Sequence, residues 1–151
     1  MSVEYWVTSP SPLPRRDDDW SFSVGPVTLC RTTNADVHAL VKQTLGPDAV
    51  IGDLIVFSSR AGGGDVGSEL AELAGKRFGG AVLYEDGPEV VAQFEPTGAA
   101  IDPTSLEREL LQLWTDRTER EAAEKARLKK DWEARLERDP TLRRDSDWSK
   151  L

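Results

Sequence analysis

The sequence predicts an α+β fold: a mostly antiparallel sheet of five or six strands, helices on one face, and a long charged C-terminal helix. Three observations lead there. Short apolar segments alternate with polar residues over the first hundred positions, Asp86-Gly87 sits between two apolar runs, and a charge-rich segment after Pro103 carries leucines at helical spacing. Val3, Tyr5 and Val7 alternate with Glu4, Trp6 and Thr8, the period of a half-buried strand. Pro10, Pro12 and Pro14 prevent regular pairing and make a stiff extended connector. Trp20, Phe22 and Val24 alternate again, and Val27 to Arg31 continues as a strand after a Gly25-Pro26 turn. Asn34 is placed to cap a helix whose apolar face is Val37, Leu40, Val41 and Leu45, and Gly46-Pro47 stops it.

Val50 to Phe57, rich in Val and Ile and bounded by turn residues, reads as the central strand. Gly62-Gly63-Gly64 follows, then a helix from Val66 to Arg77 with Leu70, Leu73 and Ala74 inward. Ala81 to Tyr84 and Val90 to Phe94 are strands of a hairpin through Glu85-Asp86-Gly87-Pro88. The last helix is capped by Asp102 or Thr104, with Pro103 in its first turn. Leu106, Leu110, Leu113 and Trp114 form a stripe that docks on the body. The stripe fades from Thr115 to Lys125 and returns as Leu128, Trp132 and Leu136. Asp116–Arg120, Glu121–Lys125 and Asp131–Arg135 are i,i+4 pairs with the acid first, and Asp139-Pro140 ends the helix. Residues 1–114 are thus expected to be an α+β globular domain able to fold alone, 115–138 a helical extension, and 139–151 a mobile tail.

Charge narrows the function classes. Nineteen basic and 27 acidic residues leave a net charge of −8, which argues against general binding of nucleic acid, since phosphate contacts need a cationic surface. The acidity belongs to residues 1–114, which carry 17 acids and 8 bases; residues 115–151 are close to balanced. One cysteine, Cys30, excludes an intramolecular disulfide and a cysteine-based zinc site, and one histidine, His38, excludes a two-histidine metal site. The N-terminal residues lack the basic and apolar regions of a signal peptide, and no apolar run approaches the ~20 residues of a membrane helix. A cytoplasmic protein is expected, and the abundance of Ala, Arg, Gly, Asp and Pro with few Lys fits a GC-rich bacterial coding sequence.

Several motifs suggest chemistry and are outweighed by simpler readings. Gly62-Gly63-Gly64-Asp65-Val66-Gly67 satisfies G-x-G-x-x-G, with Glu85 and Asp86 near the distance of a ribose-binding acid. Four residues separate Phe57 from Gly62, too many for the tight turn, and Asp65 would face the phosphates, so an exposed loop before a helix is favoured. Asp17-Asp18-Asp19 are adjacent carboxylates that point in alternating directions on an extended chain, which suits a solvated contact surface better than a metal. His38 has only Asp36 and Cys30 nearby in sequence, Cys30 reads as a small buried hydrophobe, and Glu107 and Glu109 point apart on one helix. Neither an enzyme nor a cofactor is expected. Trp132 and Trp148, in the charged C-terminal part, read as partner anchors.

Glu69-Leu70-Ala71-Glu72-Leu73-Ala74, followed by Lys76-Arg77-Phe78-Gly79-Gly80-Ala81-Val82, resembles the small immunity proteins of bacterial polymorphic-toxin systems. In that pattern a helix ends in an aromatic-Gly-Gly step into a strand and an acidic hairpin, here Ala81 to Phe94. The resemblance implies a non-catalytic inhibitor whose partner is a protein. An acidic body would be steered onto a basic toxin domain and occlude it, with Asp17, Asp18, Asp19, Glu85, Asp86 and Glu89 as the contacting acids. The alternative expectation is a structural or adaptor protein that assembles with itself through Leu128, Trp132 and Leu136.

Overall fold

The computed structural model describes residues 2–60 and 64–139. Its elements in chain order are β1 (Val3–Ser9), β2 (Phe22–Val24), β3 (Val27–Arg31), α1 (Ala35–Leu45), β4 (Asp53–Ser59), α2 (Gly64–Phe78), β5 (Ala81–Tyr84), β6 (Glu89–Gln93) and α3 (Pro103–Arg138). The six strands form one sheet, ordered β2-β3-β4-β1-β5-β6, in which every pairing is antiparallel. The chain divides into two compact units, Met1–Trp114 and Thr115–Leu151.

In the first unit β1 shares the centre with β4, pairing with β4 along its whole length and with β5 on the other side. A strand so placed has two dry faces, so the half-buried reading of Val3 to Thr8 fails over its second half. Trp6, Val7, Thr8 and Ser9 are all buried. The two buried hydroxyls are satisfied: Thr8 Oγ1 accepts from the Ala81 amide at 2.8 Å, and Ser9 Oγ donates to the Ser11 carbonyl at 2.6 Å.

Alternation then sorts the apolar residues into two layers. On one face Val7, Leu29, Ile55, Phe57 and Val82 pack with Val66, Leu70, Ala74 and Phe78 of α2 and with Leu106 and Leu110 of α3. On the other, Trp6, Leu54 and Leu83 pack with Val41 of α1, flanked by Val37 and Leu45. The α+β class stands, but helices cover both faces rather than one. The physical reason is that Trp6, Leu54 and Leu83 make the second face apolar too, and Val41 closes over them. Asn34 caps α1 by accepting from the Asp36 and Val37 amides, and Gly46, at φ 109°, ends it.

Trp20 is not the start of a strand. Asp19 and Trp20 both have left-handed backbones, φ 51° and 61°, in a turn closed by the Asp19 amide on Arg16 O and the Ser21 amide on Asp18 O. Burial of the indole holds this costly geometry: it is 2 % exposed, donates to Pro14 O at 2.8 Å and meets Phe78 edge-on. Gly25, also left-handed at φ 57°, lies against the Trp114 indole, where a Cβ would come within 2.5 Å of the ring.

The N-cap of α3 is Asp102, which accepts from the Thr104 and Ser105 amides. Along the second unit the ion pairs differ from the acid-first set expected. Arg117 meets Glu121 at 3.3 Å, and Arg127 lies 4.0 Å from Asp131 and 3.8 Å from Glu124. Arg135 instead stands over the Trp132 ring, its guanidinium 5.6 Å from the centroid, which leaves Asp131 to Arg127. Helix α3 ends at Arg138. Apart from Asp139, the tail expected to be mobile lies outside the described residues. Among the described residues no helix is long and apolar enough to cross a membrane.

Candidate functional site

The register of β1 fixes where the candidate acids go. Ser9 pairs with Asp53 at one end of the strand, and Val3 pairs with Ser59 at the other. Tyr5 pairs with Tyr84, so the Glu85–Pro88 turn sits beside Glu4, and the Glu85 amide donates to Glu4 O at 3.2 Å. Asp19 instead binds Arg31, which reaches Asp53, and Asp53 accepts from the Leu13 amide at 2.6 Å. The two groups of acids therefore occupy opposite ends of the sheet, about 17 Å apart at strand rise. They do not make one surface.

At the Ser9 end the carboxylates serve the fold. The Arg16 guanidinium forms two bonds to Asp18, at 2.8 and 2.9 Å, and one to Glu107 of α3 at 3.0 Å. It also donates to Pro103 O and lies over the Phe22 ring at 4.2 Å. Hydrogen bonding to Arg16 holds the Asp18 carboxyl below the ordinary carboxylate range, and the same bond raises the Arg16 pKa. Arg31 takes Asp19 at 2.9 Å. Asp17, Asp18 and Asp19 are all exposed, as a solvated acidic loop requires, but Asp18 and Asp19 are held by Arg16 and Arg31 and do not stand free. The signal was Arg15-Arg16 immediately before the three acids, a local supply of counter-charge.

The Val3 end differs. Glu4, Glu85, Asp86 and Glu89 gather there, and none has an ion-pair partner among the described residues. Glu4 Oε1 accepts only a long bond, 3.4 Å, from the Trp6 indole. The Glu85 carboxyl is pushed above its ordinary value, first by burial and then by the Glu4 charge, with Asp86 adding to it. Glu4 is the member that sequence reading missed. Its position inside an alternating strand concealed that the hairpin turn would arrive beside it.

The remaining candidates carry other roles. Gly67 is buried inside α2 against Ser59, where a Cβ would come within 3.1 Å of Ser59 Oγ, so it packs helix on sheet. Gly62 and Gly63 lie outside the described residues. His38 Nε2 is 2.8 Å from Thr32 O, tying α1 to the preceding loop. Cys30 is exposed, not buried: it alternates with buried Leu29 and so stands on the sheet face opposite α2. Glu107 and Glu109 go to different arginines, Arg16 and Arg77. Among the described residues no group of three or more His, Cys, Asp or Glu could hold a metal ion. Trp132 is partly exposed beneath Arg135, and Trp148 lies outside the described residues.

Comparison with protein-family models, with curated proteins and with solved structures finds no match to this chain.

The sign of the Glu85 shift makes a stability prediction. A carboxyl whose pKa is raised on folding favours the folded state when protonated, so its charge at neutral pH works against stability. Glu85→Gln is expected to raise the melting temperature at pH 7, with the gain shrinking to nothing as pH falls below about 4, where the native carboxyl is already neutral. Asp18 has the opposite sign, contributing stability above its unfolded pKa and losing it as pH falls. Thermal unfolding of Glu85→Gln across that range checks the assignment; a loss of stability at pH 7 would contradict it.

Proposed function

We propose that this chain is a non-catalytic acidic binding protein, an immunity-type inhibitor that occludes a basic toxin domain. The observation that carries the reading is the acidic group at the Val3 end of the sheet, where Glu4, Glu85, Asp86 and Glu89 lie together with no ion-pair partner among the described residues. Like charges held together cost stability, and a cationic partner surface would offset that cost on binding. The net charge of −9 over residues 1–114 adds long-range attraction that speeds encounter with such a partner. Occlusion needs no proton transfer or bond making, so no residue receives a catalytic role. A bacterial cytoplasm is the setting in which an inhibitor of this kind would act.

The test is capture of partners from native lysate by the full-length chain, with washes at rising salt. One stoichiometric basic protein, released as salt rises, is expected. Glu85→Gln with Asp86→Asn and Glu89→Gln should lower its recovery roughly tenfold, while Asp17→Asn leaves it unchanged. Recovery of the bait alone, or a partner indifferent to the triple substitution, would overturn the proposal.

A second reading, self-assembly through the C-terminal helix, is favoured by one observation. Leu128, Trp132 and Leu136 share a stripe at four-residue spacing on α3, and Leu128 is 38 % exposed. Light scattering on the full chain is expected to give twice the monomer mass, reduced to one by Leu128→Glu with Trp132→Glu. A single-chain mass for the unmodified protein would rule this reading out.

A further inference from the structure

Strand β6 closes the sheet on its side, so one row of its backbone N–H and C=O groups has no strand beside it among the described residues. Its side chains are also unusually open. Glu89, Val90, Val91 and Gln93 are exposed, with Val90 at 40 % and Val91 at 48 %. Val90 pairs with Leu83, which belongs to the layer under α1, so Val90 stands on that same face. On α1 itself Leu40 is 38 % exposed. Val91 falls where the pairing with β5 shifts register, between the partners of Val82 and Leu83, as the extra residue of a bulge.

Acids bracket these valines. Glu85, Asp86 and Glu89 stand at one end of β6 and Glu95 just beyond the other, and none of the four has an ion-pair partner among the described residues. We infer that β6 accepts a basic, extended segment of a partner protein as a seventh strand. Main-chain hydrogen bonds to the free edge supply affinity, Lys or Arg side chains meet the bracketing acids, and aliphatic side chains cover Val90. Charge selects this occupant over a second copy of the chain. Two β6 strands paired antiparallel would set Glu89 of one copy near Glu95 of the other, and parallel pairing would set Glu89 beside Glu89.

This inference rests on the acidic-binder reading and adds the mode of attachment and the conformation of the bound segment. Its test uses the full-length chain with two synthetic peptides, one alternating Lys and Val and the other alternating Glu and Val. The Lys–Val peptide is expected to bind and to slow hydrogen exchange at the β6 amides; the Glu–Val peptide should do neither. Val90→Lys with Val91→Lys, both at exposed positions, should weaken binding roughly tenfold. Val91→Pro should do the same by disturbing the edge backbone without adding charge. Three results would overturn the inference: no binding of the Lys–Val peptide, binding without protection of β6, or binding indifferent to both edge variants. If Glu85→Gln with Asp86→Asn and Glu89→Gln lowers recovery of a basic partner in the lysate capture while the edge variants change nothing, the acidic binder stands and the strand addition falls. If the peptide binds along β6 but no basic partner is recovered, the inhibitor reading falls and the edge remains.

Discussion

Burial of the second half of β1, Trp6 to Ser9, between two layers and two neighbouring strands is the constraint on which the rest of the molecule depends. Trp6 anchors the layer under α1 and Val7 the layer under α2, each burial stabilising by about 1.5–3 kcal/mol or more for the larger ring. Because the strand is hydrogen-bonded on both sides, its register sets those of β4 and β5 directly and those of β3 and β6 through them. A slip by one residue would turn Trp6 into the layer shaped for Val7. The same register decides which loops meet at each end of the sheet, and so which carboxylates become neighbours.

The two ends use acids in opposite ways. At the Ser9 end four carboxylates have an arginine: Asp18 and Glu107 converge on Arg16, and Asp19 and Asp53 on Arg31. Those pairs fasten the proline-rich connector to the first turn of α3 and to β3, and Arg16 is only 12 % exposed where its bonds form. At the Val3 end the acids face one another and burial of Glu85 sharpens their repulsion. A fold that neutralises one acidic group and leaves the other charged has its electrostatic strain concentrated where a cationic partner could relieve it.

Much of the architecture was legible because period and punctuation agreed. Asn34 and Gly46 bounded α1, Asp102 and Pro103 began α3, and Asp86-Gly87 marked the hairpin. What the sequence could not convey was tertiary. Trp20 continues the alternation of Phe22 and Val24, yet burial of its indole pulls the backbone into a left-handed turn that no local pattern encodes. The apolar alternation of α1 looked like a docking face, but only Val41 is fully buried, since the helix covers a narrow strip of sheet. The candidate acids were chosen because they fall in loops and turns. Loop position shows that a carboxylate can reach solvent, not whether an arginine from elsewhere has already reached it, and that distinction separates Asp18 and Asp19 from Glu85.

The division of labour between the two ends is tested most directly by comparing thermal unfolding of two triple variants at pH 7 and low salt. One carries Asp17→Asn, Asp18→Asn and Asp19→Asn; asparagine tolerates the left-handed backbone at position 19, so the change is chiefly one of charge. The other carries Glu85→Gln, Asp86→Asn and Glu89→Gln. The first is predicted to lose roughly 0.2–1 kcal/mol for each pair broken, as Arg16 and Arg31 lose solvent-exposed carboxylate partners, and the second to hold or gain stability. The reverse order, with the hairpin variant destabilised and the connector variant unaffected, would contradict the account.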